Sequence, residues 1–168
     1  MMAQGIDPDS RLLWVDVASQ VLFICEAGKV VGHYPVSTAL RGIGCDEDSF
    51  QTPVGLHRIS EKIGDGVQSC MIFKGRQATG ELAEVEPADN DTGHDLITSR
   101  ILWLSGMQPG INQGQGVDSH ERYIYIHGSN EEGRIGQAVS HGCIRLKNAD
   151  VIALFQQVEE GTAVTIDG

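Results

Sequence analysis

The sequence is poor in aromatic and basic residues, and it has no long apolar run. Aromatic residues make up 5% of the 168 positions, and 12 lysines and arginines stand against 23 aspartates and glutamates, a formal net charge of −11 at pH 7. Such a charge repels phosphate groups and anionic lipids, so no nucleic-acid or membrane partner is expected. The strongest apolar run, at residues 17–25, is shorter than the roughly 20 residues that a membrane-spanning helix needs.

The amino terminus lacks the features of a secretory leader. Its opening residues, MMAQGIDPD, contain no basic residue and no apolar stretch, whereas a signal peptide has both. The sequence therefore predicts a cytoplasmic protein.

The four cysteines include no CxxC pair, and in a cytoplasmic chain we expect reduced thiols. Cys25 and Cys70 adjoin apolar residues and are expected to be small buried side chains. Cys45 lies in GIGCDED, where acidic neighbours raise a thiol pKa and reduce its reactivity. Cys143 differs because its neighbours are polar and include a glycine.

What the sequence does contain is a series of short β-type segments separated by turn residues, with glycine at 21 positions. The pattern predicts a tail at residues 1–10 and a single, mainly β domain over residues 11–168. The predicted strands cover residues 12–17, 21–26, 30–36, 55–60, 69–73, 101–104, 122–126 and 162–166.

One segment near the carboxyl terminus has the period of a helix. Its apolar residues recur at i, i+3, i+4 and i+7, as Val151, Leu154, Phe155 and Val158. Asn148 is expected to cap the start of this helix and Gly161 to close its end.

Two polar, glycine-bearing segments, residues 84–95 and 106–119, are long for loops inside a domain. Loops of this length are either functional rims and lids or disordered connectors, and the sequence leaves both open.

A histidine and a cysteine stand out as candidates for chemistry. Ile126-His127-Gly128 ends a predicted strand, and Cys143 follows sixteen residues after His127, within SHGCIRL at residues 140–146. A thiol nucleophile needs a base nearby and an open site. A glycine before it allows a tight turn and brings a backbone N–H close to a developing oxyanion.

These residues resemble the signature of the L,D-transpeptidase catalytic domain (YkuD) family: a His-Gly pair, then Ser-x-Gly-Cys, an aliphatic residue and Arg or Asn. The resemblance extends upstream to residues 34–38, 52–59 and 73–76 and downstream through residues 148–151, so it covers about residues 11–168. It implies a β-sandwich-like, mainly β domain with one clear helix after the catalytic cysteine.

Carried over residue by residue, the resemblance implies that Cys143 is the nucleophile and His127 its base, with the carbonyl of Gly128 orienting the imidazole. The backbone N–H groups of Gly142 and Cys143 are expected to hold the oxyanion. Pairing with His127 is expected to lower the thiol pKa by about two units. Because a more acidic thiol is also a weaker nucleophile, proton transfer and the oxyanion hole are expected to contribute more.

Three further residues are implied to shape the site. His141 is expected to line it, and Arg145 to fix the cysteine loop or bind a substrate carboxylate. Ser140, placed with the substrate, is expected to brace the loop rather than react. No cofactor and no metal are expected.

The resemblance implies substrates with an L,D peptide bond, namely the diaminopimelate–D-alanine link of peptidoglycan stem tetrapeptides or muropeptides. Attack by water on the resulting thioester makes an L,D-carboxypeptidase, and attack by an amine makes a transpeptidase. The amino terminus favours hydrolysis in cytoplasmic muropeptide recycling. A cross-linking or D-amino-acid-exchanging transpeptidase is the alternative.

Two more distant alternatives use the same residues. His127, His141, Cys143 and His120 together could ligate zinc, which would make a chelator-sensitive hydrolase. A non-catalytic muropeptide binder is the other alternative, although both reacting groups are present. His33, His57 and His94 are expected to be ordinary surface or strand residues.

Overall fold

Ten strands, one α-helix and one short 3₁₀ helix form the regular structure of residues 6–168, the part of the chain that the computed structural model describes. The mainly β prediction is confirmed. The predicted tail lies partly outside the described residues, at positions 1–5. The elements are β1 Arg11–Asp16, β2 Val21–Glu26, β3 Lys29–Pro35, β4 Gly55–Ile63, β5 Met71–Lys74, β6 Gln77–Leu82, β7 Ile97–Gly106, β8 Tyr125–Gly128, the 3₁₀ helix Glu132–Arg134, β9 Ile144–Leu146, α1 Asn148–Gln157 and β10 Ala163–Asp167.

All strands belong to one continuous mixed sheet. Its main path runs β3-β2-β1-β10-β4-β7, and β8 and then β9 follow on the far edge of β7. The β5–β6 hairpin extends the sheet from the amino-terminal end of β7, on the edge shared with β4. The β1–β10 pair is parallel and places the first and last strands next to each other. The β8–β9 pair is also parallel, and it places the strand that contains His127 next to the strand that follows Cys143.

The core lies between the sheet and α1, which packs against β7 and β8. In β1 and β2 every second residue is fully buried, as the two-residue period of a strand facing a core on one side requires. The helix contributes the apolar face predicted from its sequence. The fully or almost fully buried members include Leu13, Val15, Leu22, Ile24, Leu102, Leu104, Ile126, Ile144, Leu146, Val151, Leu154 and Phe155.

Both predicted caps of α1 are wrong. The helix begins at Asn148, and the preceding Lys147 makes no side-chain cap. The carboxylate of Glu132 accepts the Asn148 backbone N–H at 2.8 Å, so a distant side chain caps the helix. The helix ends at Gln157, before Gly161.

The segment 122–126 is only partly strand. Tyr123 has a φ of +57°, which β structure excludes, and β8 begins at Tyr125. Ile124 and Ile126 are nevertheless both buried in the core. The sequence did not reveal β6, whose residues are all exposed, or the three-residue β9.

The segment 84–95 is a loop between β6 and β7, as predicted. The segment 106–119 is a loop between β7 and β8 apart from Gly106, the last residue of β7. Within residues 6–168, no helix has the length and apolar character that crossing a membrane requires.

His57 is buried in β4 and joins this strand to the loop that precedes β8. Its Nδ1–H donates to the carbonyl of Gly55 at 3.0 Å, so Nε2 accepts from the hydroxyl of Ser119 at 2.8 Å. Burial lowers the pKa of His57 to about 4, against the hydrogen bond to Gly55, and the charge of Arg122 lowers it further. His57 is therefore a neutral strand residue, in agreement with its predicted structural role.

This depressed pKa predicts an acid-sensitive fold. Between pH 6.5 and 4 the unfolded chain protonates His57 and the folded protein does not, so lowering the pH through this window removes about 3 kcal/mol of unfolding free energy. Urea unfolding at several pH values measures the loss. The His57→Gln protein is expected to lack this component, whereas His33→Gln retains it. Equal pH slopes for wild type and His57→Gln would contradict the expectation.

Candidate active site

The parallel pairing of β8 and β9 places the predicted base in a strand next to the one that follows the predicted nucleophile. Ile126 is in register with Ile144 and His127 with Arg145, so Cys143, directly before β9, lies beside Tyr125. The backbone N–H of Tyr125 contacts the Cys143 Sγ at 3.4 Å. His127 and Cys143 are sixteen residues apart along the chain, but they lie in or directly next to two adjacent strands.

His127 is held with one nitrogen free to act as a base. Its Nδ1 lies 2.6 Å from the carbonyl oxygen of Gly128, the contact that the resemblance implied. A carbonyl only accepts, so Nδ1 carries the hydrogen and Nε2 of the neutral ring holds the free lone pair. Burial lowers the pKa of His127 below 6.5, although the charge of Asp95 and the bond to Gly128 oppose it. The imidazole is therefore neutral at pH 7.

The thiol of Cys143 is protonated in the resting protein. Its Sγ–H donates to the carbonyl of Tyr123 at 3.4 Å, and burial raises its pKa to about 12. The expected lowering of this pKa is therefore wrong. In residues 6–168 no hydrogen bond joins Sγ to an imidazole, and burial disfavours the thiolate form. The thiolate has to form during the reaction, by proton transfer.

Gly142 provides the tight turn before the nucleophile. Its φ is +134°, and a Cβ added there would lie 3.3 Å from the carbonyl oxygen of Gln51. Its own N–H donates to the Ser140 hydroxyl at 3.3 Å. The Cys143 N–H has no such partner among the described residues, so of the two expected oxyanion donors it is the more available.

Two upstream segments enclose the cysteine loop. Ser37 exchanges both backbone hydrogen bonds with Arg145, each at 2.9 Å, and the Ser140 N–H donates to the carbonyl of Thr38 at 2.8 Å. The Thr52 hydroxyl donates to the carbonyl of Gly142 at 2.9 Å. These segments belong to the upstream parts of the resemblance, and their hydrogen bonds hold the shape of the cysteine loop.

Ser140 is a brace within this loop. It is 1% exposed, and its hydroxyl donates to the carbonyl of Cys143 at 2.7 Å. The structure therefore places Ser140 behind the nucleophile, in the position expected of a bracing residue.

Arg145 is enclosed, with a side chain 1% exposed. Its Nη1 donates to Asp95 Oδ1 at 2.9 Å and to Glu131 Oε1 at 3.0 Å. Of the two roles expected for Arg145, the contacts fit the one that fixes the loop.

Asp95, at the end of loop 84–95, is a site residue that sequence reasoning missed. Its Oδ2 accepts the Nδ1–H of His141 at 3.0 Å. Burial opposes ionisation of Asp95. The charge that His127 gains in acid, the charge of Arg145 and two hydrogen bonds outweigh burial and hold the pKa of this carboxyl below its usual 3.8.

The thiol opens onto a cavity of about 280 Å³. His141 lines this cavity. The other lining residues, which the sequence did not indicate, are three acidic and two aromatic side chains together with Arg122 and Ile124: Glu47, Asp48, Phe50, Glu121, Arg122, Tyr123 and Ile124.

The zinc alternative requires a cluster that the described residues do not form. Across residues 6–168, no three His, Cys, Asp or Glu side chains are grouped to hold a metal ion. His120, the fourth ligand considered, stacks on Trp103 with ring centroids 3.9 Å apart.

Comparison with known proteins agrees with this geometry. The family model of the L,D-transpeptidase catalytic domain (YkuD) matches residues 10–166 of this sequence. The probable L,D-transpeptidase YcfS of Escherichia coli is 32% identical over 158 residues, which cover 90% of this chain and 42% of that protein. The putative L,D-transpeptidase YkuD of Bacillus subtilis is 57% identical over 47 residues, 28% of this chain and 29% of that protein. The chain thus spans less than half the length of the E. coli relative.

Two solved structures share the fold. The L,D-transpeptidase 3 of Mycobacterium tuberculosis, in complex with a faropenem-derived adduct, superposes with a TM-score of 0.58 at 15% identity, over 94% of this chain and 60% of that one. An L,D-transpeptidase from Mycobacterium smegmatis gives a TM-score of 0.54 at 17% identity, over 94% and 58%. On the family match across residues 10–166, this chain belongs to the L,D-transpeptidase catalytic domain (YkuD) family.

Proposed function

We propose that the protein is a cysteine acyltransferase that cleaves the L,D bond between diaminopimelate and D-alanine in peptidoglycan stem tetrapeptides. The observation that carries this proposal is the fixed imidazole of His127, whose Nε2 is free, beside the loop that presents Cys143 to the cavity. Membership of the family supports the substrate class.

The first half-reaction forms a thioester. The Cys143 thiol turns from Tyr123 toward His127, and its proton moves to Nε2 as Sγ bonds to the substrate carbonyl carbon. The Cys143 N–H donates to the resulting oxyanion, a type of interaction worth about 3 kcal/mol. The C–N bond then breaks, and the imidazolium gives its proton to the amine of D-alanine, which contributes about 10²- to 10⁴-fold.

The second half-reaction decides between transfer and hydrolysis. An amine acceptor gives an exchanged or cross-linked peptide, and water gives a tripeptide. The names of the relatives favour an amine, and we propose transfer as the main outcome. Hydrolysis, a cytoplasmic location and a role in muropeptide recycling remain predictions.

One incubation measures both outcomes. The protein is incubated with disaccharide tetrapeptide, with and without D-methionine, and the products are identified by mass spectrometry. Exchanged tetrapeptide is the expected product, whereas tripeptide and D-alanine alone would show hydrolysis. Loss of activity with a chelator, but not with iodoacetamide, would support the zinc alternative. No D-alanine from protein whose Cys143 still reacts with iodoacetamide would overturn the substrate assignment.

A further inference from the structure

Asp95 and His141 form a carboxylate–imidazole pair at the cavity that holds the nucleophile, and His141 is a second imidazole beside His127 in the site. We propose that this pair serves the second half-reaction, by taking the proton from the amine or water that attacks the thioester on Cys143. The inference rests on the proposed function, because it requires a thioester.

The two imidazoles differ in access. His127 is 2% exposed, whereas the side chain of His141 is 71% exposed and lines the same cavity as Cys143. The second nucleophile arrives from solvent after D-alanine has left. An exposed imidazole two residues from the thioester can meet it there, and an enclosed one is less accessible.

Asp95 gives His141 the orientation that a base needs. Because the carboxylate accepts from Nδ1–H, the neutral ring carries its free lone pair on Nε2, which has no partner in residues 6–168. A carboxylate in this position also stabilises the imidazolium that forms when the base takes a proton. Asp95 is thus a positioning residue, and His141 is the group that contacts the nucleophile.

The carboxylate is itself held rigidly. The buried Arg145 binds its other oxygen, and Glu131 binds the same guanidinium. Glu131 also accepts the backbone N–H of Thr92 at 2.8 Å, and Asn130 accepts that of Leu96 at 3.2 Å, which ties down the loop on both sides of Asp95. Arg145, predicted to contact substrate or loop, acts through this carboxylate.

The proton and the bonds balance. As the nucleophile bonds to the thioester carbon, its proton moves to Nε2 of His141. The tetrahedral intermediate then breaks its C–S bond and releases Sγ as thiolate. The imidazolium returns one proton to Sγ through the water of the cleft, which restores the thiol and the neutral imidazole beside the Asp95 carboxylate.

The test separates the two half-reactions. Wild type, His141→Gln and Asp95→Asn are mixed with tetrapeptide, with and without D-methionine. Rapid quenching gives D-alanine release in the first turnover, and intact-protein mass spectrometry gives the thioester on Cys143. In both variants we expect steady-state turnover lower by about 10²-fold. In His141→Gln, which leaves the charge of Asp95 near His127 in place, we also expect first-turnover release within about twofold of wild type and accumulated thioester. His94→Gln, in the same loop, is the matched control and is expected to behave as wild type.

The outcomes are distinguishable. His141→Gln leaves the Asp95–Arg145 pair in place, so it reports on the base even if Asp95→Asn destabilises the loop. Unchanged steady-state turnover in His141→Gln, or an equal loss of first-turnover release without thioester, would overturn the inference while leaving the proposed function intact. A wild-type protein that neither releases D-alanine nor forms an adduct would overturn the proposed function itself.

Discussion

A Cys143→Ala protein is expected to release no measurable D-alanine from stem tetrapeptide. Without Sγ no thioester can form, and the remaining groups cannot split the difficult amide cleavage into two easier steps. Loss of a covalent nucleophile in a comparable catalytic unit costs about 10⁶-fold in turnover. Product release measured by mass spectrometry over hours, together with the absence of an acyl adduct, tests this expectation.

The control for this variant is Cys25→Ala, which changes a half-buried thiol in β2. It is expected to keep wild-type turnover, because the described contacts of Cys25 lie in the sheet and outside the cavity at Cys143. A Cys143→Ala protein with full biological activity would contradict a covalent mechanism and favour the muropeptide-binding alternative.

Local sequence patterns predicted most of the fold because they report burial. The segments that became β1, β2 and β10 are aliphatic runs between turn residues, and the face of α1 repeats with the helical period. The sequence did not reveal β6, because an exposed strand carries no apolar alternation. Nor could it predict the cap of α1, since Glu132 lies 16 residues before the N–H that it accepts.

In the candidate site, too, local features could be predicted from the sequence and long-range contacts could not. The Cys143 motif is local, and its resemblance to a family is what proposes the nucleophile and the base. The implied contact of His127 with the Gly128 carbonyl is present in the structure. Asp95 was missed because its partners His141 and Arg145 are 46 and 50 residues away along the chain. A carboxylate in a polar loop has no periodicity that indicates its contacts.

The ionisation of the thiol was misjudged for a related reason. The sequence placed a base near Cys143 and implied a lowered pKa, but burial, which depends on the packed structure, has the larger effect and raises it. This result makes the proposed role of His127 as a base more important. If the thiol is almost fully protonated at pH 7, the reaction depends on a base that removes the proton as the C–S bond forms.

Replacing His127 with asparagine is expected to lower first-turnover release of D-alanine by about 10²- to 10⁴-fold at pH 7. The Asn side-chain N–H can occupy the place of Nδ1–H and donate to the Gly128 carbonyl, so the variant removes Nε2 with little change in β8. Quenched-flow measurement on wild type and variant gives the ratio. His33→Asn, on β3, is the control and is expected to retain wild-type release.

The pH profile separates loss of the base from general damage. In wild type, release requires neutral His127, whose pKa lies below 6.5, so activity is expected to fall only on acidification below that value and to stay level at higher pH. In His127→Asn the thiolate must form by direct ionisation of a thiol with a pKa of about 12, so residual release is expected to rise about tenfold per pH unit above neutrality. The deficit of the variant therefore shrinks as pH increases, because hydroxide replaces the missing base. A variant whose residual activity is flat with pH would show that His127 does not remove the thiol proton.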